Sequence, residues 1–262
     1  MLGRIALAQV NSTADPGENL GVVREYTARA AAAGARLVVF PEAMMRRFGG
    51  NLAAVAEPVD GPWADAVRRI AEEAAVTVVA GMFTPAEDGR VRNTLLITGG
   101  GVDTHYDKIH LYDAFGFTES ATVAPGEHPV LAEIAGTTVG FATCYDIRFP
   151  GLFQRLAADG ADLIVVAASW GDGPGKVDQW RLLTRARALD ATALVAACGQ
   201  ARPATVTNPT APLGVGHSAV IGSGGAILAE LGPDPDLLIT DIDPGQVDDW
   251  RKTLPVLANR RY

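Results

Sequence analysis

The run RLVVF, residues 36–40, is apolar from Leu37 to Phe40 and stops at Pro41-Glu42. A strand with one wet face alternates apolar and polar residues; an unbroken apolar run of this length belongs to a strand covered on both faces. This requirement constrains the fold most, because such a sheet must be flanked by helices or by a second sheet. The preceding segment supplies a helix. Asp15 and Pro16 suit its cap and first position, and Glu18 completes a box-like spacing. VVREYTARAAAAGA continues it, and Gly34 is a natural stop.

The same alternation runs on. RIALAQV reads as a buried opening strand, and Trp63, Val67, Ile70 and Ala74 recur at helical spacing before the strand VTVVAGMF. RVRNTLLITGG and GGVDTHYDKIH read as a hairpin. TTVGFATC, DLIVVAAS and ALVAACGQ read as strands separated by the helices FPGLFQRLAADGA and DQWRLLTRARALDA. GHSAVIGSGGAILAEL holds a Gly-rich turn between two strands, and DLLITDI is a further strand. Strand and helix alternating throughout predict an α/β protein. No Pro/Ser linker divides the chain and no internal repeat is visible, so residues 1–262 are expected to form one domain. The tail VDDWRKTLPVLANRRY, with Trp250, Leu254 and Val256, packs either on its own domain or on a partner subunit.

Composition excludes several function classes. Asp and Glu outnumber Lys and Arg by 30 to 22, a net charge of −8, and basic residues form no stripe, so nucleic acid is not an expected partner. The apolar stretch at the N-terminus is too short for a signal-peptide core, and no run is long enough to span a bilayer. The two cysteines, Cys144 and Cys198, show no disulfide pattern, and the expectation is a reduced, cytoplasmic protein.

Three strands end on side chains capable of chemistry: Glu42 after VVF, Lys108 after THYD, and Cys144 after VGFAT. Ligands of open α/β sheets bind beyond strand ends, where a rigid scaffold aims side chains into a crevice. A carboxylate, an ammonium and a thiol meeting there supply a base, an oxyanion partner and a nucleophile. Singly, each has an ordinary structural reading. A free cysteine packs as a small hydrophobe, which suits Cys198, and a lone Glu or Lys is a surface charge. Cys144 suits it less, because Tyr145-Asp146 ends the apolar run at once.

Together, VVFPEAMM, DKIHLYD and GFATCYDIRFP resemble the Glu, Lys and Cys motifs of the carbon-nitrogen hydrolase (nitrilase) superfamily, in its order and approximate spacing. FTES resembles its supporting glutamate, at Glu119, and the resemblance continues through DLIVVAASW, the following helix and strand, and the late hairpin. It implies a four-layer α-β-β-α sandwich, no metal or organic cofactor, and a homodimer or larger assembly. Glu42 would be the base, Cys144 the nucleophile, and Lys108, with the Tyr145 N–H, the oxyanion partner. Glu119 would hold Lys108. CYDIRFP is similar to the amidase branch that includes omega-amidases and deaminated-glutathione amidases, which implies a small-molecule carboxamide substrate such as the omega-amide of a short keto or carboxylic acid. A nitrilase or N-carbamoyl amide hydrolase is the alternative within the superfamily, and an inactive small-molecule binding module the alternative outside catalysis.

Around this centre, Tyr145 and Trp170 are candidates to line the substrate pocket, and Phe115 and Phe117 to cover it. Arg46, Arg47 and Lys176 are candidates to meet a substrate carboxylate, whereas Arg148 is expected to pair with a carboxylate within its own turn. Gly151, Ala167 and Gln179 replace the Glu, Pro and His common in the branch and leave the substrate open. Other chemistries fit less well. GDGPGKV fails the phosphate-loop pattern at Trp170 and Val177. Ser218 lacks a nucleophile-elbow context, and His105 and His110 lack zinc spacing.

Overall fold

A computed structural model describes residues 1–205 and 211–261. In chain order, the first half holds β1 (Arg4–Gln9), α1 (Pro16–Ala32), β2 (Leu37–Val39), α2 (Pro62–Ala74), β3 (Thr77–Pro85), β4 (Val91–Gly99) and β5 (Val102–Asp107). A small hairpin, β6 (Asp113–Ala114) and β7 (Phe117–Thr118), follows. Then come β8 (Leu131–Ile134), β9 (Thr137–Thr143), α3 (Pro150–Ala158), β10 (Leu163–Ala168), α4 (Lys176–Ala191), β11 (Leu194–Gly199), β12 (Ala219–Ile221) and β13 (Ile227–Glu230). β14 (Asp236–Asp241), α5 (Gln246–Thr253) and α6 (Val256–Asn259) close the chain.

The strands form two six-stranded sheets, ordered β14-β1-β2-β3-β4-β5 and β13-β12-β11-β10-β9-β8. In each, three parallel strands joined by helical crossovers are flanked by one antiparallel strand on one side and two on the other. The two halves thus repeat one pairing scheme that the sequence does not display.

Side-chain alternation along a strand sorts each apolar run between two cores. Leu163, Val165 and Ala167 of β10 join Leu37, Val39, Ile5 and Leu7 in a core between the sheets. Ile164, Val166 and Ala168 turn to the outer face, where α3 and α4 contribute Phe153, Leu156, Trp180 and Ala188. Val38, Phe40, Val78 and Ala80 do the same beneath α1 and α2, against Val23, Trp63 and Val67. The layers are therefore α-β-β-α, and the need of RLVVF for two covers is met by helices on one face and the second sheet on the other.

Helix starts follow the chemistry of their sequences. Asp15 caps α1, its Oδ1 accepting from Gly17 N at 2.7 Å and Glu18 N at 3.2 Å, with Pro16 in the first turn. The Glu18 side chain departs from the expected box and accepts from the Thr13 hydroxyl at 2.9 Å. The tail packs partly on its own chain. Val247 is buried between the sheets, Leu257 lies against the α3–α4 core, and Arg251 reaches Asp162 at 3.1 Å. Cys198 is fully buried between the sheets. Among the described residues no helix is long and apolar enough to cross a membrane.

Candidate active site

Glu42 comes three residues after β2, in a turn where Ala43 takes φ 59°. This turn docks on β3 at Gly81, with Met45 N donating to Gly81 O at 2.8 Å. A Cβ at Gly81 would fall 2.5 Å from Ala43 N and 2.9 Å from the Glu42 carbonyl carbon. Gly81→Ala is therefore expected to cost about 1–3 kcal/mol of stability, since backbone cannot yield as a flexible side chain can. It should also displace Glu42 and lower kcat; an unchanged Tm with wild-type kcat would refute the close-packing argument.

Lys108 is the first residue after β5, and Cys144 the first after β9. Cys144 stands at φ 45° and opens a 3-10 helix, Cys144–Arg148. A left-handed non-glycine residue costs about 1–3 kcal/mol and persists only where its surroundings hold it. Asp146, fully buried, does the holding. Its Oδ2 accepts from Thr143 N at 2.8 Å and from the Tyr106 hydroxyl at 2.7 Å; its Oδ1 accepts from His110 N at 3.0 Å and lies 2.7 Å from His110 Nδ1. The Tyr106 phenol is pushed well up by burial and by the Asp146 charge, so it stays a donor. Through these bonds the segment carrying Lys108 is tied to the turn carrying Cys144.

The four expected residues meet. The Lys108 ammonium donates to Glu42 Oε1 at 3.1 Å and to both oxygens of Glu119, at 3.1 and 2.9 Å. Lys108 is 2% exposed, Glu42 1% and Glu119 4%. Burial alone would strip the Lys108 charge, but the facing Glu42 and Glu119 outweigh it and raise the ammonium above its ordinary value. Burial pushes Glu42 up; Lys108 opposes and Glu119 reinforces, and the carboxyl remains raised. The Cys144 thiol is raised well up, by burial first and then by the charge of the neighbouring Glu42 carboxylate. Its sulfur also lies 3.9 Å from Ser169 O.

Two residues of this centre escaped the sequence reading. Asn93 Nδ2 donates to Glu42 Oε1 at 2.7 Å and reaches Glu119 Oε1 at 3.5 Å. Ser169 N donates to Glu42 Oε2 at 2.7 Å. Both carried a signal: a polar amide inside the apolar strand NTLLI, and a Ser directly after β10 as Cys144 comes directly after β9.

A cavity of about 470 Å³ opens over the thiol, a volume suited to a small ligand. Tyr145 and Trp170 lie in its wall, and so do Phe115 and Phe117 of the β6–β7 hairpin. Trp170 is also a core residue, donating Nε1 to Lys176 O at 3.0 Å and packing on Trp180. Lys176 lines the cavity, whereas Arg46 and Arg47 do not. Arg148 corrects the expectation of a carboxylate partner within its turn. Asp146 is occupied by Tyr106, His110 and Thr143, and Arg148 turns into the cavity wall, donating to the neutral Gln179 Oε1 at 2.8 Å over the Trp170 ring.

The arrangement is that of a thiol with a buried carboxylate at hand and an ammonium held beside it. A family model described as carbon-nitrogen hydrolase matches residues 4–252. The chain belongs to that family. Hydrolase Rv0480c of Mycobacterium tuberculosis is 56% identical, the match covering 98% of this chain and 95% of the relative. A deaminated glutathione amidase of Escherichia coli O157:H7 is 33% identical, with 98% and 97% covered. A solved variant of the amidase from Nesterenkonia sp. AN1 superposes with TM-score 0.83 at 28% identity, covering 98% of this chain and 93% of that one. In that variant a glutamate is replaced by leucine, and the acetamide moiety of fluoroacetamide is added covalently at the active-site cysteine. This carbon-nitrogen hydrolase is thus an amidase-type member of the nitrilase superfamily, acting on carbon–nitrogen bonds other than peptide bonds.

Proposed function

We propose that this hydrolase releases ammonia from a small primary carboxamide, in the manner of an omega-amidase, through a thioester on Cys144. The observation that carries the reading is the placement of Glu42. Its carboxylate faces the thiol while Lys108, Asn93 and Ser169 N fix it from behind.

A raised thiol is protonated at neutral pH, so attack needs a base at the moment sulfur closes on the carbonyl. Glu42 accepts that proton as the S–C bond forms and the carbonyl electrons move to oxygen. The tetrahedral oxyanion is stabilised by Lys108 and by the N–H of Tyr145, in the first turn of a 3-10 helix where no intrahelical acceptor exists. Protonation of Glu42 also loosens its hold on Lys108, freeing an ammonium hydrogen as negative charge appears on the substrate. Collapse expels the amine, which takes the Glu42 proton and leaves as ammonia. Glu42 then draws a proton from water, hydroxide adds to the thioester, and the acid departs as the thiol is restored. Glu119 keeps Lys108 in place throughout.

The test is ammonia release from a panel of small amides and nitriles across pH. Amide turnover is expected, with kcat/KM rising with pH as Glu42 loses its proton. Because Glu42 is raised, the acid limb should lie above the ordinary carboxylate range, about 4.3. A limb at or below that range would remove Glu42 as the base, and turnover of nitriles alone would replace the amidase reading.

A second copy of the chain is proposed to cover the patch around the β12–β13 turn. There Leu189 and Trp250 approach Gly225 and Gly224, and with Ile227 and Leu228 they stay exposed. Light scattering should give twice the chain mass; a monomer at micromolar concentration would exclude this.

A further inference from the structure

Cys144, Ser169 and Gln200 are the first residues after β9, β10 and β11, three neighbouring parallel strands of the second sheet. Cys144 carries the thiol, and Ser169 gives its N–H to Glu42 Oε2. Gln200 does not line the cavity, yet its side chain also ends on Glu42. The Gln200 amide is buried, and its Nε2 donates to the Glu42 carbonyl at 3.0 Å and to the Ser12 hydroxyl at 2.7 Å. Its Oε1 accepts from Ser12 N at 2.9 Å. Both Nε2 hydrogens are therefore used. Turning the amide over would set oxygen against the Glu42 carbonyl and N–H against Ser12 N, so one orientation alone fits. Among the described residues nothing else donates to that carbonyl.

The proposed base and nucleophile stand on different sheets, Glu42 after β2 of the first and Cys144 after β9 of the second. Between the sheets lies an apolar core, and apolar packing is strong but non-directional. Hydrogen bonds, with their narrow range of distance and angle, locate one chain segment against another. Where β1 and β11 end, the sheets are stitched by such bonds. Ala201 N donates to Val10 O at 3.0 Å, Asn11 Nδ2 donates to Ala201 O at 2.6 Å, and Gln200 grips Ser12. The Gln200–Glu42 bond carries this stitching to the main chain of the base. We infer that Gln200 is a positioning residue for the reaction: from the nucleophile's sheet it holds the Glu42 main chain, and so sets the reach of the carboxylate to the Cys144 thiol. This rests on the amidase reading above. Asn93 and Ser169 aim the carboxylate, whereas Gln200 fixes the backbone from which it hangs. A methionine at this position would fill the space and leave the Glu42 carbonyl and Ser12 N without partners. The turn would then be free to shift, and a displacement of about 1 Å costs a catalytic group about 10²-fold in rate.

The experiment measures kcat, KM, the pH profile of amide hydrolysis and the melting temperature in Gln200→Met, Gln200→Glu and Asn11→Ala. Gln200→Glu keeps the shape and the acceptor for Ser12 N, and the Ser12 hydroxyl can turn to donate, so the link to Glu42 is what it removes. Both Gln200 variants should lose about 10- to 100-fold in kcat with KM within about twofold of wild type, because Gln200 stands outside the cavity. In Gln200→Met the acid limb should move up in pH, since a carboxylate drifting from Ser169 N loses a donor that favours its charge. The charged groups facing Glu42, namely Lys108, Glu119 and the Cys144 thiol, are left in place by that variant. Asn11→Ala cuts the same stitching without touching Glu42, and should lower Tm while keeping the wild-type kcat and acid limb. Alkylation of Cys144 by iodoacetamide gives a readout that needs no amide turnover: sulfur displaces iodide as Glu42 takes the thiol proton, and the rate should fall by a similar factor in Gln200→Met. Wild-type kcat in both Gln200 variants, or a loss in Asn11→Ala that matches theirs at an equal fall in Tm, overturns the positioning role while leaving the amidase intact. Alkylation that depends on Gln200, without turnover of any amide, upholds the positioning role and sinks the amidase reading. A wild-type protein with neither alkylation at Cys144 nor turnover overturns both.

Discussion

Cys144→Ala is expected to abolish ammonia release, lowering kcat by at least about 10⁴-fold, while the protein stays folded. The size follows from the chemistry: without sulfur no thioester forms, and Glu42 with Lys108 can only assist direct attack by water, as in other hydrolases stripped of their nucleophile. Folding should survive because Cys144 is only half-buried, and the turn that carries it is held by Asp146. Relief of the left-handed strain is not expected, since alanine dislikes φ 45° as cysteine does. Circular dichroism and the melting curve should match the wild type. Ammonia release within tenfold of wild type would remove Cys144 as nucleophile, and Cys198, fully buried between the sheets, offers no replacement.

Lys108→Met should damage both stability and rate. It leaves Glu42 and Glu119 facing each other in a dry site with no cation, and removing one partner from a buried charge cluster costs about 3–5 kcal/mol. For a chain of this size that is a fall in Tm of about 6–20 °C. The oxyanion also loses its charged donor, worth about 10²–10³ in kcat in comparable sites. One carboxyl must take up a proton to relieve the repulsion, so the acid limb of any residual activity should move further up in pH. Lys108→Arg is not expected to rescue, because a planar fork cannot reproduce three bonds made by one compact ammonium. A Lys108→Met protein with wild-type Tm and kcat would show that the three charges do not depend on one another.

The fold was legible where burial imposes a pattern. RLVVF and DLIVVAAS declared strands covered on both faces, and Asp15-Pro16 and Gly34 bracketed α1 to within a few residues. That the strands make two sheets facing one another is a matter of long-range pairing, which local periodicity does not carry; the resemblance supplied it. The site divides in the same way. Glu42, Lys108 and Cys144 were visible as reactive side chains at strand ends, whereas Glu119 was reached through the resemblance alone. Asn93 was hidden within a strand and Ser169 acts through its backbone, which no side-chain motif records. Arg148 was misassigned because the nearest acid in sequence, Asp146, looked available. It is consumed by Tyr106, His110 and the Thr143 N–H, which come from outside that local window or from the backbone.

The mechanism turns on a covalent acyl-enzyme on one of only two cysteines. The most direct test mixes the wild-type protein with excess glutaramate, quenches in acid during turnover, and maps the adduct by mass spectrometry after peptic digestion. The expected result is a peptide containing Cys144 heavier by the acyl group, absent from Cys144→Ala, with the Cys198 peptide unmodified. Steady ammonia release with no adduct on Cys144, or an adduct on another residue, would contradict the account.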